Sequence, residues 1–261
     1  MYLYKYCASG NDFLITHQFT PSDRSVLAKQ VCDRHYGFGA DGLVVLLPHH
    51  KHAYTWEFYN ADGSCAAMCG NASRCAALYA YQQGLAPLKH IFLSAAGAIH
   101  VEVLECRDDW GMVESNLGTY TIQDRLNVEG QVWDLVDTGV PHLVHFVDNP
   151  SQIPTHKTSQ MQDLRVRFNA NVNIAYIQDP HTIKLATYER GVEDITLACG
   201  TGMAAVFVCA HKQHGYNTEA TLVPPSGELL NLRLGNDGIY FKGEVRFVGA
   251  VLKEKFFKLL S

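Results

Sequence analysis

Residues 68–75 read MCGNASRC and residues 197–205 read LACGTGMAA, so a Cys-Gly pair occurs twice, as Cys69-Gly70 and Cys199-Gly200, 130 residues apart in a chain of 261. Each pair stands before an apolar, Ala-rich segment that reads as a helix and stops at a glycine, Gly84 in one half and Gly215 in the other. Residues 72–81, ASRCAALYAY, are apolar on most sides, with Arg74 the only charge. A helix apolar nearly all round belongs in an interior, so each half is expected to curl a sheet around its helix. A thiol at a helix N-terminus meets the positive end of the helix dipole and unpaired backbone N–H groups, which favours thiolate. Two such thiols related by duplication point to one acid and one base. The alternative is two buried structural cysteines, the commoner role of the residue.

The repeat extends beyond the cysteines. Gly10-Asn11-Asp12-Phe13 lies 129 residues before Gly139-Val140-Pro141-His142. Ala40-Asp41 lies 130 before Ala170-Asn171, and Tyr59-Asn60 lies 130 before Glu189-Arg190. IFLSAAG and TLVPPSG end at Gly97 and Gly227. Landmarks holding one register to within a residue indicate an internal duplication, and a period this long suits two similar domains rather than a solenoid. The reading is an α/β (α+β) chain of two pseudo-symmetric domains, residues 1–126 and 127–261, each a mixed, mostly antiparallel sheet around a central buried helix. The polar stretch 124–131, DRLNVEGQ, is the expected linker. SVLAKQVCDRHY (25–36) reads as a further helix. Short β-branched and aromatic runs read as strands at LVVLLP, AYTWEFYN, HIFLSAA, IHVEVLE, VWDLVD, LVHFVD, VNIAYIQ, IKLATYE and IYFKGEVRFVGAV.

A net charge of −5 with no basic stripe argues against nucleic acid. The start MYLYKYCASGNDF lacks signal-peptide features, and no apolar run approaches a membrane span. The basic, amphipathic end KEKFFKLLS reads as a last strand or tail packed on the body. Eight cysteines without a secretion signal read as reduced thiols in a cytoplasmic protein. Cys65-x3-Cys69-x5-Cys75 matches no common zinc spacing, and His49-His50-Lys51-His52 reads as a solvated loop, so no metal site is expected. Gly37-Phe38-Gly39-Ala40-Asp41-Gly42 matches G-x-G-x-x-G, but it follows a helical pattern and opens a strand. That is the reverse of the dinucleotide-binding context.

Gly70-Asn71 and Gly200-Thr201 would let an anion approach two helix starts. A carboxylate held there would leave its α-carbon flanked by the thiols, a geometry for removing a proton from one face and delivering one to the other. No pyridoxal-phosphate lysine context is recognisable, so the chemistry is expected to need no cofactor. Asn11, Asn60, Asn171, Glu189 and Arg190 end strand-like runs and are candidates for the rest of a site. His142 shares the repeat register and is an acid–base or supporting candidate.

Through ASGNDF, NADGS before MCGNASRC, PHLV, NANVN, YERG and LACGTG, the sequence resembles the diaminopimelate epimerases, cofactor-independent racemases of lysine and peptidoglycan-precursor biosynthesis. The resemblance implies interconversion of LL- and meso-2,6-diaminopimelate, an active site in the interdomain cleft, a homodimer and a last strand returning to the first domain. It implies Cys69 and Cys199 as the acid–base thiols, and Gly70, Asn71, Gly200 and Thr201 as the cradle for the reacting carboxylate. It further implies Asn11, Asn60, Asn171 and Arg190 as substrate ligands, with Arg190 on the distal carboxylate. Glu189 would meet the reacting ammonium, and both His142 and Glu189 would tune the thiols. Three positions depart from the family pattern: Gly42 where some members carry Gln, Val140 where many carry Asn, and one extra residue between YERG and Cys199. These bear on the distal end of the substrate and leave a related amino acid, such as histidine, as the alternative.

Overall fold

Strand Gly42–Leu47, GLVVLL, is buried at every residue. Its side chains alternate in direction, so it faces two apolar layers at once. Leu43, Val45 and Leu47 pack with Leu27, Ala28 and Val31, while Val44 and Leu46 pack with Ala72, Ala76 and Tyr79. One helix therefore covers the outer face of the sheet and another lies within its curl.

The computed structural model describes residues 1–253 and divides into two units: residues 1–114 with 244 onward, and Ser115–Gly243. The expected tail KEKFFKLLS lies, after Lys253, outside the described residues. In the first unit the elements are β1 Tyr2–Ala8, β2 Asn11–His17, α1 Ser25–Cys32, β3 Gly42–Leu47, β4 Tyr54–Asn60, α2 Gly70–Gln82, β5 Lys89–Ser94, β6 Gly97–Cys106 and β7 Trp110–Asn116, whose last two residues belong to the second unit. The second unit carries β8 Thr121–Val128, β9 Gln131–Asp137, β10 Pro141–Phe146, α3 Ser159–Phe168, β11 Asn171–Asp179, β12 Thr182–Glu189, β13 Asp194–Ile195, α4 Gly200–His214, β14 Glu219–Val223 and β15 Leu230–Gly235. Strand β16, Gly238–Leu252, starts in the second unit and ends in the first.

Both units use one plan. In the first, β1/β2 pair antiparallel, β2/β3 parallel, β3/β4 antiparallel, β4/β5 parallel and β5/β6 antiparallel. In the second, β9/β10, β10/β11, β11/β12, β12/β14 and β14/β15 repeat that alternation. The register repeats as well: Phe13 opposes Gly42 as His142 opposes Asn171, an offset of 129 at both positions. The two helix starts, Gly70 and Gly200, are offset by 130. The extra residue falls between β12 and α4, where residues 190–198 replace the shorter 61–68.

In the first unit the path β1-β2-β3-β4-β5-β6-β7-β16 returns to β1 through the Tyr2↔Leu252 to Cys7↔Arg246 pairing, closing around α2. Residues 70–80 of α2 are all buried there. In the second unit residues 202–210 of α4 are buried, and Leu143, Val172, Ile174 and Tyr188 form the opposite layer with Met161 and Leu164 of α3.

Two expectations change. The stretch 124–131 is a hairpin rather than a linker: β8 and β9 pair from Thr121↔Asp137 to Val128↔Gln131 around Glu129 and Gly130, both at positive φ. Such a turn matches the twist of the flanking strands. The division accordingly falls after Glu114 rather than after residue 126, while residues 244–252 belong to the first unit, where the returning last strand is expected. The helix expected over 25–36 stops at Cys32, because the Asp33 carboxylate accepts the N–H groups of His35 and Tyr36 at 2.7 and 2.6 Å and makes a turn.

Candidate active site

Cys69 is the N-cap residue of α2 in extended conformation (φ −148°, ψ 127°), with its side chain left out of the capping role. Its Sγ donates to Asn11 Oδ1 at 3.7 Å, and Asn71 Nδ2 reaches the same oxygen at 3.5 Å. The Asn11 amide is oriented from behind: its Nδ2 donates to Asp41 Oδ2 at 2.5 Å, and a carboxylate oxygen only accepts. Oδ1 must then face the thiol. Asp41 is itself held by Arg34, which bridges it and Asp12 at 2.7 and 2.8 Å, while Lys5 pairs with Asp12 at 2.8 Å. Burial works to raise the Asp12 carboxyl, and the hydrogen bonds from Arg34 and Lys5 outweigh it, leaving it below the ordinary carboxylate range. On the helix, the buried Arg74 donates to Asn71 Oδ1 at 2.9 Å and to Ser9 Oγ at 3.3 Å. The first unit thus brings Asn11, Cys69, Gly70 and Asn71 together. Asn60 ends β4 with its amide donating to Ser64 Oγ at 3.0 Å, within its own turn. A side chain at Gly42 would begin 2.7 Å from the Tyr59 carbonyl, so this position admits none without movement.

In the second unit the alternation of strand side chains builds the site. With Leu143, Val172 and Tyr188 turned towards α3, their neighbours His142, Asn171, Asn173, Thr187 and Glu189 turn the other way, towards the start of α4. Cys199 is the N-cap of α4 (φ −120°, ψ 109°) and only 7% exposed. Its Sγ lies 3.5 Å from Thr201 Oγ1, which lies 3.0 Å from His142 Nε2. Burial raises the Glu189 carboxyl above its ordinary range, and hydrogen bonds with Thr196 and the Cys199 thiol offset part of the rise. Asn171 accepts the Arg190 backbone N–H at 2.7 Å, and the Arg190 guanidinium donates to the Asn169 carbonyl at 2.9 Å. His142, Asn171, Glu189, Cys199 and Thr201 therefore form one cluster, with Arg190 attached through its backbone.

Desolvation lowers the wholly buried His142 to about 3, and the Arg190 charge adds to the effect. The ring is neutral at pH 7. Since its folded pKa lies below the ordinary value near 6.5, the unfolded chain binds the proton more readily between the two, and stability falls as pH drops through that window. Denaturant titrations from pH 7 to pH 4 are expected to show a smaller loss of stability for His142→Gln than for the parent chain. Equal pH slopes would mean that His142 takes up its proton as readily in the folded chain as in the unfolded one.

Sequence reading passed over Asp41 and Asp12 behind Asn11, Arg74 beneath Asn71, and Asn173 with Thr187 behind His142. The one available signal was polar residues on one face of an apolar strand, as in Asn171-Val172-Asn173-Ile174. No cluster of three or more His, Cys, Asp or Glu residues that could hold a metal ion occurs among the described residues, and no helix among them is long and apolar enough to cross a membrane.

The fold, with a cysteine at the start of the buried helix of each unit, belongs to a class shared with solved structures of low sequence identity. A hydroxyproline epimerase from Agrobacterium vitis superposes with a TM-score of 0.72 at 14% identity, over 96% of this chain and 91% of that one. A phenazine biosynthesis protein of the PhzF family from Bacillus anthracis superposes at 0.70 with 10% identity, over 96% and 98%. Sequence narrows the class. The family model described as Diaminopimelate epimerase matches residues 3–122 and 135–248. Diaminopimelate epimerases of Helicobacter pylori and of a Nitratiruptor species are each 51% identical, covering 95% and 97% of this chain and 95% and 99% of their own. The chain belongs to the diaminopimelate epimerase family.

Proposed function

We propose that this chain is an isomerase that interconverts LL- and meso-2,6-diaminopimelate, with Cys69 and Cys199 as its two acid–base groups. The observation that carries the reading is the pair of helix-start thiols, each with an oriented polar partner: the Asn11 carbonyl oxygen at Cys69, and Thr201 with Glu189 at Cys199. Inversion needs a base on one face of the α-carbon and an acid on the other. One thiolate takes the α-proton, the carbanion's charge spreads into the adjacent carboxylate, and the opposite thiol delivers a proton; the roles exchange in the reverse direction. First-turn N–H groups of a helix have no partner within the helix, so those at Gly70-Asn71 and Gly200-Thr201 suit the carboxylate as its charge grows. Glu189 suits the reacting ammonium, and Asn11, Asn60, Asn171 and Arg190 suit the remaining polar groups. The reading includes a cytoplasmic homodimer active in lysine and peptidoglycan-precursor biosynthesis, on the family resemblance.

The test is chiral separation of the stereoisomers after incubating the reduced protein with LL-diaminopimelate. Accumulation of the meso form to a stable ratio is expected. Conversion of a different amino acid in a parallel panel, with none of diaminopimelate, would move the substrate; inertness towards all of them would overturn the reading.

A further inference from the structure

We infer that Asn173, steadied by Thr187, is a positioning residue that sets the direction of proton sharing along His142, Thr201 and Cys199; this rests on Cys199 being an acid–base thiol. Asn173 Nδ2 donates to the Leu143 carbonyl at 2.8 Å. A carbonyl only accepts, so the amide has one orientation, and its Oδ1 takes the Thr187 hydroxyl at 2.8 Å. The same NH2 group lies 3.1 Å from His142 Nδ1, which must therefore accept.

A neutral imidazole carries one N–H, and with Nδ1 accepting it belongs to Nε2. Nε2–H donates to Thr201 Oγ1 at 3.0 Å. Asn171 Nδ2 lies 3.3 Å from the same nitrogen and 3.5 Å from the Pro141 carbonyl, but only the Thr201 hydroxyl can accept the ring proton, whereas the Asn173 NH2 group facing Nδ1 cannot. A hydroxyl that accepts from an imidazole keeps its own proton to give, and Cys199 Sγ is 3.5 Å away. Thr201 then donates to the sulfur and favours its thiolate.

The ionisable groups facing this row are His142 from β10 and Glu189 and Arg190 at the end of β12. Of these, the Glu189 carboxylate beside the thiol opposes thiolate formation. Cys199 thus has a donor in Thr201 and an acceptor in Glu189, which suits a group that must alternate between base and acid. The sequence carries a matching restriction: a Cβ at Gly202 would sit 2.6 Å from Asn173 Oδ1 and 2.8 Å from Thr187 Oγ1. The first turn of α4 packs directly on the pair that fixes the histidine.

Asn173→Asp keeps the size of the side chain and replaces the NH2 donor with a carboxylate oxygen. That oxygen draws the imidazole proton to Nδ1, leaves Nε2 as an acceptor and turns the Thr201 hydroxyl away from the sulfur. Two readouts are needed. Nitrogen NMR of protein labelled at histidine, with the His142 signals assigned from the His142→Gln variant, is expected to show Nε2–H in the parent and Nδ1–H in Asn173→Asp. Iodoacetamide labelling mapped by peptide mass, with exposed Cys65 as internal reference, is expected to place the Cys199 profile about one pH unit higher in the variant, a roughly tenfold slower reaction at neutral pH. Thr201→Val should show the same slowing and Thr201→Ser should restore the parent profile, which keeps the test intact if Asn173→Asp does not fold. An Nδ1–H parent, a tautomer switch without a shift at Cys199, or equal profiles for Thr201→Val and Thr201→Ser would each overturn the inference. None of these readouts needs turnover, so their failure is separable from failure of the epimerase reading.

Discussion

Replacing either Cys69 or Cys199 with alanine is expected to lower epimerisation about a thousandfold while leaving the fold intact. A positioned acid–base group contributes on the order of 10² to 10⁴ in rate. In the proposed mechanism each direction of reaction needs one thiol as base and the other as acid, so neither loss can be covered by the survivor. Structural damage should be small. Neither cysteine side chain caps its helix, and both helices are fixed by buried apolar residues beyond the first turn, Cys75, Ala76 and Leu78 in α2 and Ala204, Val206 and Phe207 in α4. Unchanged circular dichroism and thermal midpoint beside the loss of turnover would locate the effect in the chemistry. Near-normal turnover by either variant would end the two-thiol account.

The second large effect is expected at Arg190. Arg190→Ala should raise KM for diaminopimelate by about 10- to 100-fold, the equivalent of the roughly 1.5–3 kcal/mol of a hydrogen bond to a charged group. The variant keeps the backbone N–H that orients Asn171 at 2.7 Å, so the loss isolates the guanidinium, whose one hydrogen bond to the Asn169 carbonyl leaves further donors for a carboxylate. Arg190→Lys should recover only part of the loss, since an ammonium does not present the planar fork that matches a carboxylate. An unchanged KM in Arg190→Ala would reassign the side chain to holding the loop at Asn169.

Much of this was legible in residue order. Helix α2 could be placed inside its sheet because residues 72–81 offer no polar face, and the duplication could be read because glycines and cysteines recur at one spacing. The hairpin at residues 121–137 was missed because its β8 half is largely exposed and polar, so no apolar alternation marks it as a strand. Helix α3 escaped for a similar reason: only Met161 and Leu164 are buried, and its start depends on Thr158 capping the Met161 N–H. Cys69, Asn71, Cys199 and Thr201 could be named because they sit in short motifs at helix starts. Asp41 and Asn173 could not be given roles, because the site residues they orient, Asn11 and His142, lie 30 and 31 positions away and become neighbours only through strand pairing. Val140 shows the limit in the other direction, since nothing in its surroundings indicates how the family's usual Asn is replaced.

The central claim is inversion by two opposed proton carriers, and proton NMR of LL-diaminopimelate turning over in D2O tests it most directly. If the acid that delivers is distinct from the base that removes, early product carries solvent deuterium at the inverted centre while unreacted substrate retains its α-proton. Early product that retains the original proton, or deuterium entering substrate and product equally from the first turnovers, would show a single base working on both faces and would contradict the account.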